Sequence, residues 1–233
     1  QRQMCIRDSS LPADIDSDFV REFYLGAKKA CGQGVKIVGG DITGSDKIFV
    51  SICAIGSSEN RNISSRKNAK VGQKIIVSGI HGSSAAGLHL LLNGKKCPEK
   101  FVKAHLEPKA QIEFGKSISK TQKYPYAMMD TSDGLMDALS TIANESNVLL
   151  EINFDQIPYD NDLKLFPNWQ DLVLFGGEDY QIVASVDSDY QGGITIGKVK
   201  SGSGVDLLLA DKVVHYSRQD VEKQLFNHFK ITE

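Results

Sequence analysis

Residues 126–154 read YAMMDTSDGLMDALSTIANESNVLLEINF, a stretch that combines two strands, a helix and an acidic loop. YAMMD and VLLEINF are apolar runs of strand length, and residues 134–146 between them are predicted to form a helix. The loop that joins the first strand to this helix carries Asp130, Ser132 and Asp133. The stretch therefore predicts a sheet with a helix packed on it and polar groups at a strand end.

The rest of the chain continues this alternation of strands and helices. Apolar spacing over 16–30 predicts a helix, and two more are expected between 99 and 120, separated at Pro108 because proline ends a helix. Further helices are expected over 83–92 and 219–229. Further strands are expected at VKIVGGD, KIFVSICAIG, QKIIVSG, DYQIVASV, ITIGKV and VDLLLA. The mixture predicts an α/β or α+β fold with a substantial sheet.

Two domains are expected, because the polar stretch 57–70 interrupts the strand pattern. We place the N-terminal domain at 11–65 and the C-terminal domain at 66–233. Residues 1–9, QRQMCIRDS, have neither the apolar region of a signal peptide nor a clear period, so we predict that residues 1–10 form a tail outside the fold. Their abrupt join to SLPADIDSDF indicates a cloning or read-assembly scar, and a short disordered native tail is the alternative.

Composition argues against several classes of partner. The chain has 27 Lys plus Arg against 29 Asp plus Glu, so no broad basic field is present to bind nucleic acid or an anionic membrane. No apolar run approaches the roughly 20 residues of a membrane span. The four cysteines are far apart and form no CxxC pair, which argues against a zinc site or a disulfide framework and favours a reducing cytoplasm. Small molecules are the expected partners.

Acidic residues and glycines recur beside three predicted strands. They follow the apolar run VKIV at 39–41, they occupy 130–134 after YAMM, and they lead into the strand DYQIVASV at 176–180. Ligands of open α/β sheets bind outside strand ends, so the three motifs predict one shared site. Mg²⁺ usually holds substrate phosphates through one or two carboxylates, and glycines let backbone N–H groups approach phosphate oxygens. The pattern therefore predicts a site for a metal and a phosphate.

Each motif alone also has a structural explanation. Asp130, Ser132 and Asp133 could cap the helix that follows, although Leu135 and Met136 stand where a capping box needs Glu or Gln. The segments GGD and GGEDY could be tight turns. The sequence has no P-loop, no GxGxxG that opens a helix, no HExxH and no GxSxG, so the signatures of P-loop enzymes, Rossmann dehydrogenases, zincins and α/β-hydrolases are missing.

Four segments together resemble a known family. GGDIT, SGIHGSSAAGL, MMDTSDGL and LFGGEDYQI occur in the order and with the spacing found in thiamine-monophosphate kinases of the PurM-like superfamily. The resemblance covers residues 11–229, and GGEDY combined with DTSDGL is specific to that kinase among its relatives. It implies the remnant of a PurM-like N-terminal domain that binds ATP, followed by a complete PurM-like C-terminal α/β domain.

The resemblance assigns roles to individual residues. It implies magnesium ligands at Asp41, Asp130 and Asp133, nucleotide contacts at Gly40, Asp41, Arg66 and Ser132, and substrate contacts at Glu178 and Phe226. Without the resemblance, Arg66 would be an ordinary surface residue and Phe226 part of the apolar face of a terminal helix. Ser83 replaces a frequent acid of the family, Leu225 a usual glycine and Gly44 a common arginine, and none of these changes removes a metal ligand.

The resemblance also implies an activity. The family transfers the γ-phosphoryl group of ATP to thiamine monophosphate, giving thiamine diphosphate and ADP. Both reacting groups are anionic, so Mg²⁺ is needed to neutralise their repulsion and hold them in line, and we expect no nucleophile, covalent intermediate or acid–base residue. A homodimer is implied for the full-length enzyme. The alternatives are another PurM-like enzyme that uses ATP on a different acceptor, which GGEDY argues against, and a non-catalytic remnant.

A last expectation concerns the chain as given. The family places a further acidic segment before the position that matches Leu11, whereas residues 1–10 contain Asp8 as their one acid. Missing carboxylates would leave the ATP phosphates insufficiently neutralised. We therefore predict that this chain has no useful kinase activity by itself.

Overall fold

The fold is described from a computed structural model. The structure describes residues 3–31, 35–58, 61–122, 125–210 and 212–225. The chain divides into two compact units, Gln1–Arg61 and Asn62–Glu233, which we call the first unit and the second unit. The division falls a few residues before the boundary predicted from the polar stretch.

The first unit is a small sheet with one helix. Its elements are β1 (Gln3–Leu11), α1 (Ser17–Cys31), β2 (Val35–Gly39), β3 (Ile42–Gly44) and β4 (Phe49–Ile55). β4 pairs with β1 in antiparallel orientation, whereas β2 and β3 pair with successive parts of β1 in parallel orientation. Since a strand has two edges, β2 and β3 share the edge that β4 leaves open. β1 therefore lies in the middle of this sheet.

The position of β1 differs from the sequence prediction, which left residues 1–10 outside the fold. The structure corrects this, because Gln3–Leu11 pairs with three other strands. Backbone N–H and C=O groups form such ladders whatever side chains they carry, so a segment without apolar alternation can still complete a sheet. The predicted scar origin of residues 1–9 stays a prediction.

Apolar side chains of the first unit are exposed. In β4, Phe49 is 64% and Ile52 55% accessible to solvent. The predicted helix α1 is present, yet none of its residues is buried. Among the residues of this unit whose side chains the structure describes, Ser9 and Leu11 alone are buried. The first unit by itself thus encloses almost no core.

The second unit is built around a mixed sheet. Its strands are β5 (Lys74–Val77), β6 (Met128–Asp130), β7 (Leu149–Asn153), β8 (Ile182–Val186), β9 (Ile194–Lys200), β10 (Gly204–Leu209) and β11 (Lys212–Tyr216). They lie in the order β11-β10-β7-β9-β5-β8-β6. β10 and β7 are parallel, and the other neighbouring pairs are antiparallel.

Helices lie along this sheet. They are α2 (Ser83–Leu92), α3 (Glu99–Leu106), α4 (Ile112–Thr121), α5 (Leu135–Ser146), α6 (Trp169–Phe175) and α7 (Arg218–Glu222), with two short 3-10 helices at Phe154–Gln156 and Asn161–Leu165. The predicted α2 and the pair of helices around Pro108 are confirmed. In the described part of the chain, no helix is both long and apolar enough to cross a membrane.

Both faces of the sheet are covered at β5. Ile75 and Val77 belong to the main core, which also contains the buried residues of α5. Ile76 points to a second core, where it packs with Ile118 of α4. Successive side chains of a strand alternate between faces, so an uninterrupted apolar run is expected for a strand buried on both sides. β5 is therefore a rigid support for the loop that follows it.

An ion pair fastens α7 to α5. Arg218 Nη1 donates to Asp137 Oδ1 at 2.6 Å, and also to the hydroxyls of Ser140 and Thr141 at 3.0 and 2.8 Å. Asp137 is buried, and a buried charge is tolerated when it is paired and hydrogen-bonded. The contact holds the C-terminal part of the described chain against the helix that begins after Asp133.

Candidate functional site

Three loops of the second unit meet at one edge of the sheet. β5 and β6 both pair with β8 in antiparallel orientation, so the ends of β5 and β6 lie beside the start of β8. We name these loops the β5 loop (78–82), the acidic loop (130–134, which includes the last residue of β6) and the GGEDY loop (176–181). Two of the three predicted acidic motifs are thereby brought together.

Hydrogen bonds join the acidic loop to the GGEDY loop. The backbone N–H of Glu178 donates to the carbonyl of Ser132 at 2.7 Å, and that of Thr131 to the carbonyl of Gln181 at 2.9 Å. The backbone N–H of Gln181 in turn donates to Thr131 Oγ1 at 3.1 Å. At Gly177 the loops approach so closely that a Cβ atom would lie 2.6 Å from the Ser132 carbonyl oxygen. The contact therefore requires glycine at this position.

Two carboxylates of the acidic loop are exposed near Glu178. Among the described residues, neither Asp130 nor Asp133 has an ion-pair partner. The hydroxyl of Tyr180 donates to Glu178 Oε2 at 3.1 Å. Burial, this hydrogen bond and the negative charges of Glu178, Asp130 and Asp133 all raise the pKa of Tyr180. The Tyr180 hydroxyl thus lies within electrostatic reach of all three carboxylates.

Helix capping does not account for the acidic loop. The N-cap position of α5 is Gly134, with φ of 110°, and no side chain hydrogen-bonds to the helix start there. Ser132 and Asp133 precede this cap and leave the first turn unbonded by their side chains. Since capping was the structural alternative for these residues, its absence leaves the Asp133 carboxylate available to a ligand.

The GGEDY loop is also joined to the β5 loop, through Asp179. This side chain is 8% exposed. Its Oδ2 accepts from the backbone N–H of Gly82 at 2.5 Å, and its Oδ1 from that of Ser84 at 2.8 Å. Burial raises the pKa of Asp179 from 3.8 to about 6, although the N–H groups of Ser84, Gly82 and Ser83 act in the opposite direction. A buried carboxyl therefore lies at the start of α2.

Next to this contact stands a buried histidine. His81 is 1% exposed, and neither of its ring nitrogens has a hydrogen-bond partner among the described residues. Burial lowers the pKa of His81 from 6.5 to about 3, so the ring is neutral at physiological pH. The nearby hydroxyl of Ser83 is likewise buried without a partner among those residues.

Gly40 and Asp41 lie in the first unit, in a break between β2 and β3. The backbone N–H of Asp41 donates to Asp8 Oδ1 at 3.0 Å, and its carbonyl accepts from the N–H of Ser9 at 2.9 Å. The Asp41 side chain is exposed, and its Oδ1 accepts from the N–H of Ile42 at 2.8 Å. The segment therefore separates β2 from β3, two strands on the same edge of β1, whereas the structural explanation offered by the sequence was a tight turn.

Comparison with known proteins gives the family. No protein-family model matches the chain. The thiamine-monophosphate kinase of Aquifex aeolicus is 37% identical over 210 residues, which cover 84% of this chain and 67% of that protein. The chain belongs to the thiamine-monophosphate kinase family.

Solved structures agree with this family and with the PurM-like fold. AaThiL complexed with AMPPCP and TMP has a TM-score of 0.79 at 33% identity, over 91% of this chain and 73% of that one. HypE of E. coli, a hydrogenase maturation protein, has a TM-score of 0.75 at 16% identity, over 92% of this chain and 72% of that one. The likeness to HypE concerns the fold alone. The expected PurM-like α/β fold is thus confirmed.

Arg66, a predicted nucleotide contact, lies by the end of α5 that is far from the acidic loop. Arg66 is exposed, and its carbonyl accepts from Ser146 Oγ at 3.0 Å. Ser146 ends α5, whereas Asp133 precedes the start of that helix, and 12 residues of helix span about 18 Å. Phe226 lies outside the described residues. Both roles stay predictions.

Two other residues of the site were missed by the sequence analysis. Asp179 and Tyr180 belong to the GGEDY motif, yet Glu178 alone received a role there. Their exposure along the loop alternates, with Glu178 and Tyr180 outside and Asp179 inside. The sequence offered no signal for Asp179, because its partners are backbone groups that no motif reveals.

The acidic loop fits a metal that arrives with phosphates. The described residues contain no group of three or more His, Cys, Asp or Glu side chains placed to hold a metal ion. Mg²⁺ commonly binds one or two carboxylates together with substrate phosphates and water. Asp130 and Asp133 supply two exposed carboxylates of that kind. They suit Mg²⁺ carried by a nucleotide, and they do not form a complete site by themselves.

Proposed function

We propose that this chain is the part of a kinase of its family that, once extended at its N-terminus, transfers the γ-phosphoryl group of ATP to thiamine monophosphate with Mg²⁺. One observation carries the proposal: two exposed carboxylates without ion-pair partners among the described residues lie at the same sheet edge as Glu178. Hydrogen bonds between their loops fix this arrangement. AMPPCP, which the AaThiL structure contains, is an analogue of ATP, and this supports ATP as co-substrate.

Each group of the site has a distinct task in this proposal. Asp130 and Asp133 hold Mg²⁺, which when bound neutralises the phosphate charges, and Ser132 contacts the nucleotide. Glu178 accepts a hydrogen bond from the thiamine moiety. No side chain forms a covalent bond to the transferred group, since positioning and charge neutralisation supply most of the rate in phosphoryl transfer.

The proposal extends to the remaining predicted residues. Gly40 and Asp41 contribute a nucleotide contact and a further magnesium ligand, Arg66 meets a phosphate, and Phe226 packs on the substrate. We also propose a homodimer for the full-length enzyme, as the family resemblance implies. A cytoplasmic location fits Cys31, Cys53 and Cys97, which are free thiols.

The test is formation of ADP and thiamine diphosphate by an extended chain. The extension is the segment of the Aquifex aeolicus kinase that precedes its region similar to this chain. Asp130→Asn and Asp133→Asn should each lower turnover about a hundredfold or more, because each removes a charge that Mg²⁺ needs. The matched control is Asp155→Asn, since Asp155 is an exposed acid outside the three loops of the site. Unfolding free energies should be nearly unchanged in all three variants.

Two outcomes would contradict parts of this proposal. Full turnover of both variants at low magnesium would contradict the assignment of Asp130 and Asp133 as metal ligands. Failure of the extended wild-type chain to form thiamine diphosphate would contradict the proposed activity itself. The chain without the extension should stay at background, and product formed by it would refute that narrower prediction while leaving the proposed reaction intact.

A further inference from the structure

We propose that Asp179 is a positioning residue, whose buried carboxylate latches the GGEDY loop to the start of α2 and so directs Glu178 toward the substrate. The proposal rests on the function proposed above, because it treats Glu178 as the residue that meets thiamine monophosphate. It concerns a residue that the sequence analysis passed over, and its geometry stands apart from that of the acidic loop.

The latch consists of hydrogen bonds between a side chain and a backbone. Gly82 and Ser84 donate to the two carboxylate oxygens of Asp179 at 2.5 and 2.8 Å. Gly82 and Ser83 are the N-cap and the first residue of α2, where backbone N–H groups have no partner within the helix. An anion at this end of a helix is favoured by both the free N–H groups and the helix dipole. The donors at the start of α2 therefore offset part of the cost of burying the carboxylate.

The backbone around Asp179 is held in an unusual conformation. Glu178 has φ of 68° and Tyr180 has φ of 50°, in the left-handed region that residues other than glycine rarely adopt. Such conformations persist when surrounding contacts hold them. Here the buried side chain of Asp179 lies between the two strained residues. With that side chain turned inward, the side chains of Glu178 and Tyr180 are exposed to solvent.

A second set of contacts braces the loop from the same side. Ser78 Oγ donates to Gln181 Oε1 at 2.8 Å, and the backbone N–H of Ile182 donates to Ser78 Oγ at 2.9 Å. Gln181 Nε2 also donates to the carbonyl of Asp179 at 3.2 Å. These bonds fix the end of the GGEDY loop to the β5 loop, whereas its middle is held by the Asp179 side chain and by the backbone bond from Glu178 to Ser132. Removal of the Asp179 charge should therefore release mainly the segment that carries Glu178.

The other charged and titratable groups near the latch are few. Asp179 receives no ion pair among the described residues, and His81, which precedes Gly82, has no hydrogen bond through its ring to any of them. His105 bonds to Ser84 Oγ at 3.0 Å, on the α2 side of the contact. The burial of Asp179 raises its pKa, which is consistent with a carboxyl kept away from water. The latch thus depends on backbone donors alone.

The experiment compares Asp179→Asn, Glu178→Gln, the double variant and the control Asp155→Asn in the whole chain. Titration calorimetry gives dissociation constants for thiamine monophosphate and for Mg²⁺ with AMPPCP. Asp179→Asn should raise the constant for thiamine monophosphate about tenfold or more and that for AMPPCP by less than about twofold. The double variant should match Glu178→Gln alone, because a residue that acts through another has no separate effect.

Hydrogen exchange of the amides at 82–84, measured without ligand, tests the latch separately. Asp179→Asn should speed exchange there by about tenfold or more, while Asp155→Asn should not. Unchanged exchange overturns the latch. Equal weakening of both ligands, independent effects of Asp179→Asn and Glu178→Gln, or unchanged binding of thiamine monophosphate overturns the positioning role. If the wild-type chain fails to bind thiamine monophosphate, the proposed function fails for this chain, and exchange still decides whether the latch exists.

Discussion

The burial of Asp179 predicts a pH dependence of stability that an asparagine would remove. The pKa of Asp179 is raised from 3.8 to about 6 in the folded state. Between these two pH values the folded chain holds a proton that the unfolded chain releases, so the stabilising contribution of the protonated form is lost as pH rises. The contribution of Asp179 to the free energy of unfolding should therefore fall with increasing pH in this window.

The size of the effect follows from the shift. One pKa unit corresponds to 1.36 kcal/mol, so the shift of Asp179 corresponds to about 3 kcal/mol in total, of which about 2 kcal/mol falls between pH 4 and pH 6. His81 acts with the opposite sign. Its pKa is lowered from 6.5 to about 3, so the free energy of unfolding falls as pH decreases through this range. In the wild-type chain the two slopes nearly cancel between pH 4 and pH 6.

Asp179→Asn separates the two contributions. The difference in unfolding free energy, variant minus wild type, should rise by about 2 kcal/mol between pH 4 and pH 6 and should be flat above about pH 7. Every other titrating group cancels in this difference. Urea unfolding followed by the fluorescence of Trp169, the one tryptophan of the chain, reports the second unit. A difference that stays constant within about 1 kcal/mol over this range would refute the burial argument.

Two substitutions test neighbouring parts of the site. His81→Leu removes a buried ring whose nitrogens have no partner among the described residues, so the substitution should be neutral or stabilising at pH 7. Below about pH 6.5, urea unfolding should show the free energy of unfolding of the variant rising relative to wild type by about 1.4 kcal/mol for each pH unit. A difference that does not change with pH would contradict the burial of a neutral histidine. Gly177→Ala places a Cβ atom against the Ser132 carbonyl and should destabilise the second unit by about 1–3 kcal/mol. The control Gly115→Ala should not destabilise it, because the added Cβ would lie 3.5 Å from its nearest neighbour. Equal unfolding free energies for the two variants would contradict the close approach of the loops.

The sequence predicted those elements whose pattern is local. Residues 83–92 combine small and apolar residues between glycines, and the structure has α2 over Ser83–Leu92. The break between α3 and α4 falls around Pro108, since proline lacks the N–H that a helix interior needs. β1 was missed because its place in the sheet depends on β2, β3 and β4, which lie at least 20 residues away along the chain.

For the candidate site, the sequence analysis gave roles to three exposed acids and missed Asp179 and Tyr180. Asp130, Asp133 and Glu178 belong to motifs rich in acid and glycine, and the structure brings their loops together. Asp179 forms its contacts with backbone groups of Gly82 and Ser84, nearly 100 residues earlier. Such contacts arise when strands pair, so no periodicity or spacing within the loop predicts them.

The conformation of the GGEDY loop indicates why its motif is more than a turn. Each residue other than glycine in the left-handed region costs about 1 kcal/mol or more, and the ionised Asp179 adds about 3 kcal/mol at neutral pH. These losses are large beside the roughly 5–15 kcal/mol that stabilise a typical domain. An unstrained turn could connect α6 to β8 without them, but it would not turn Glu178 and Tyr180 outward beside Asp130 and Asp133. The strain is therefore explained by the position of these side chains, and a variant that relaxed the loop should become more stable while binding thiamine monophosphate less well.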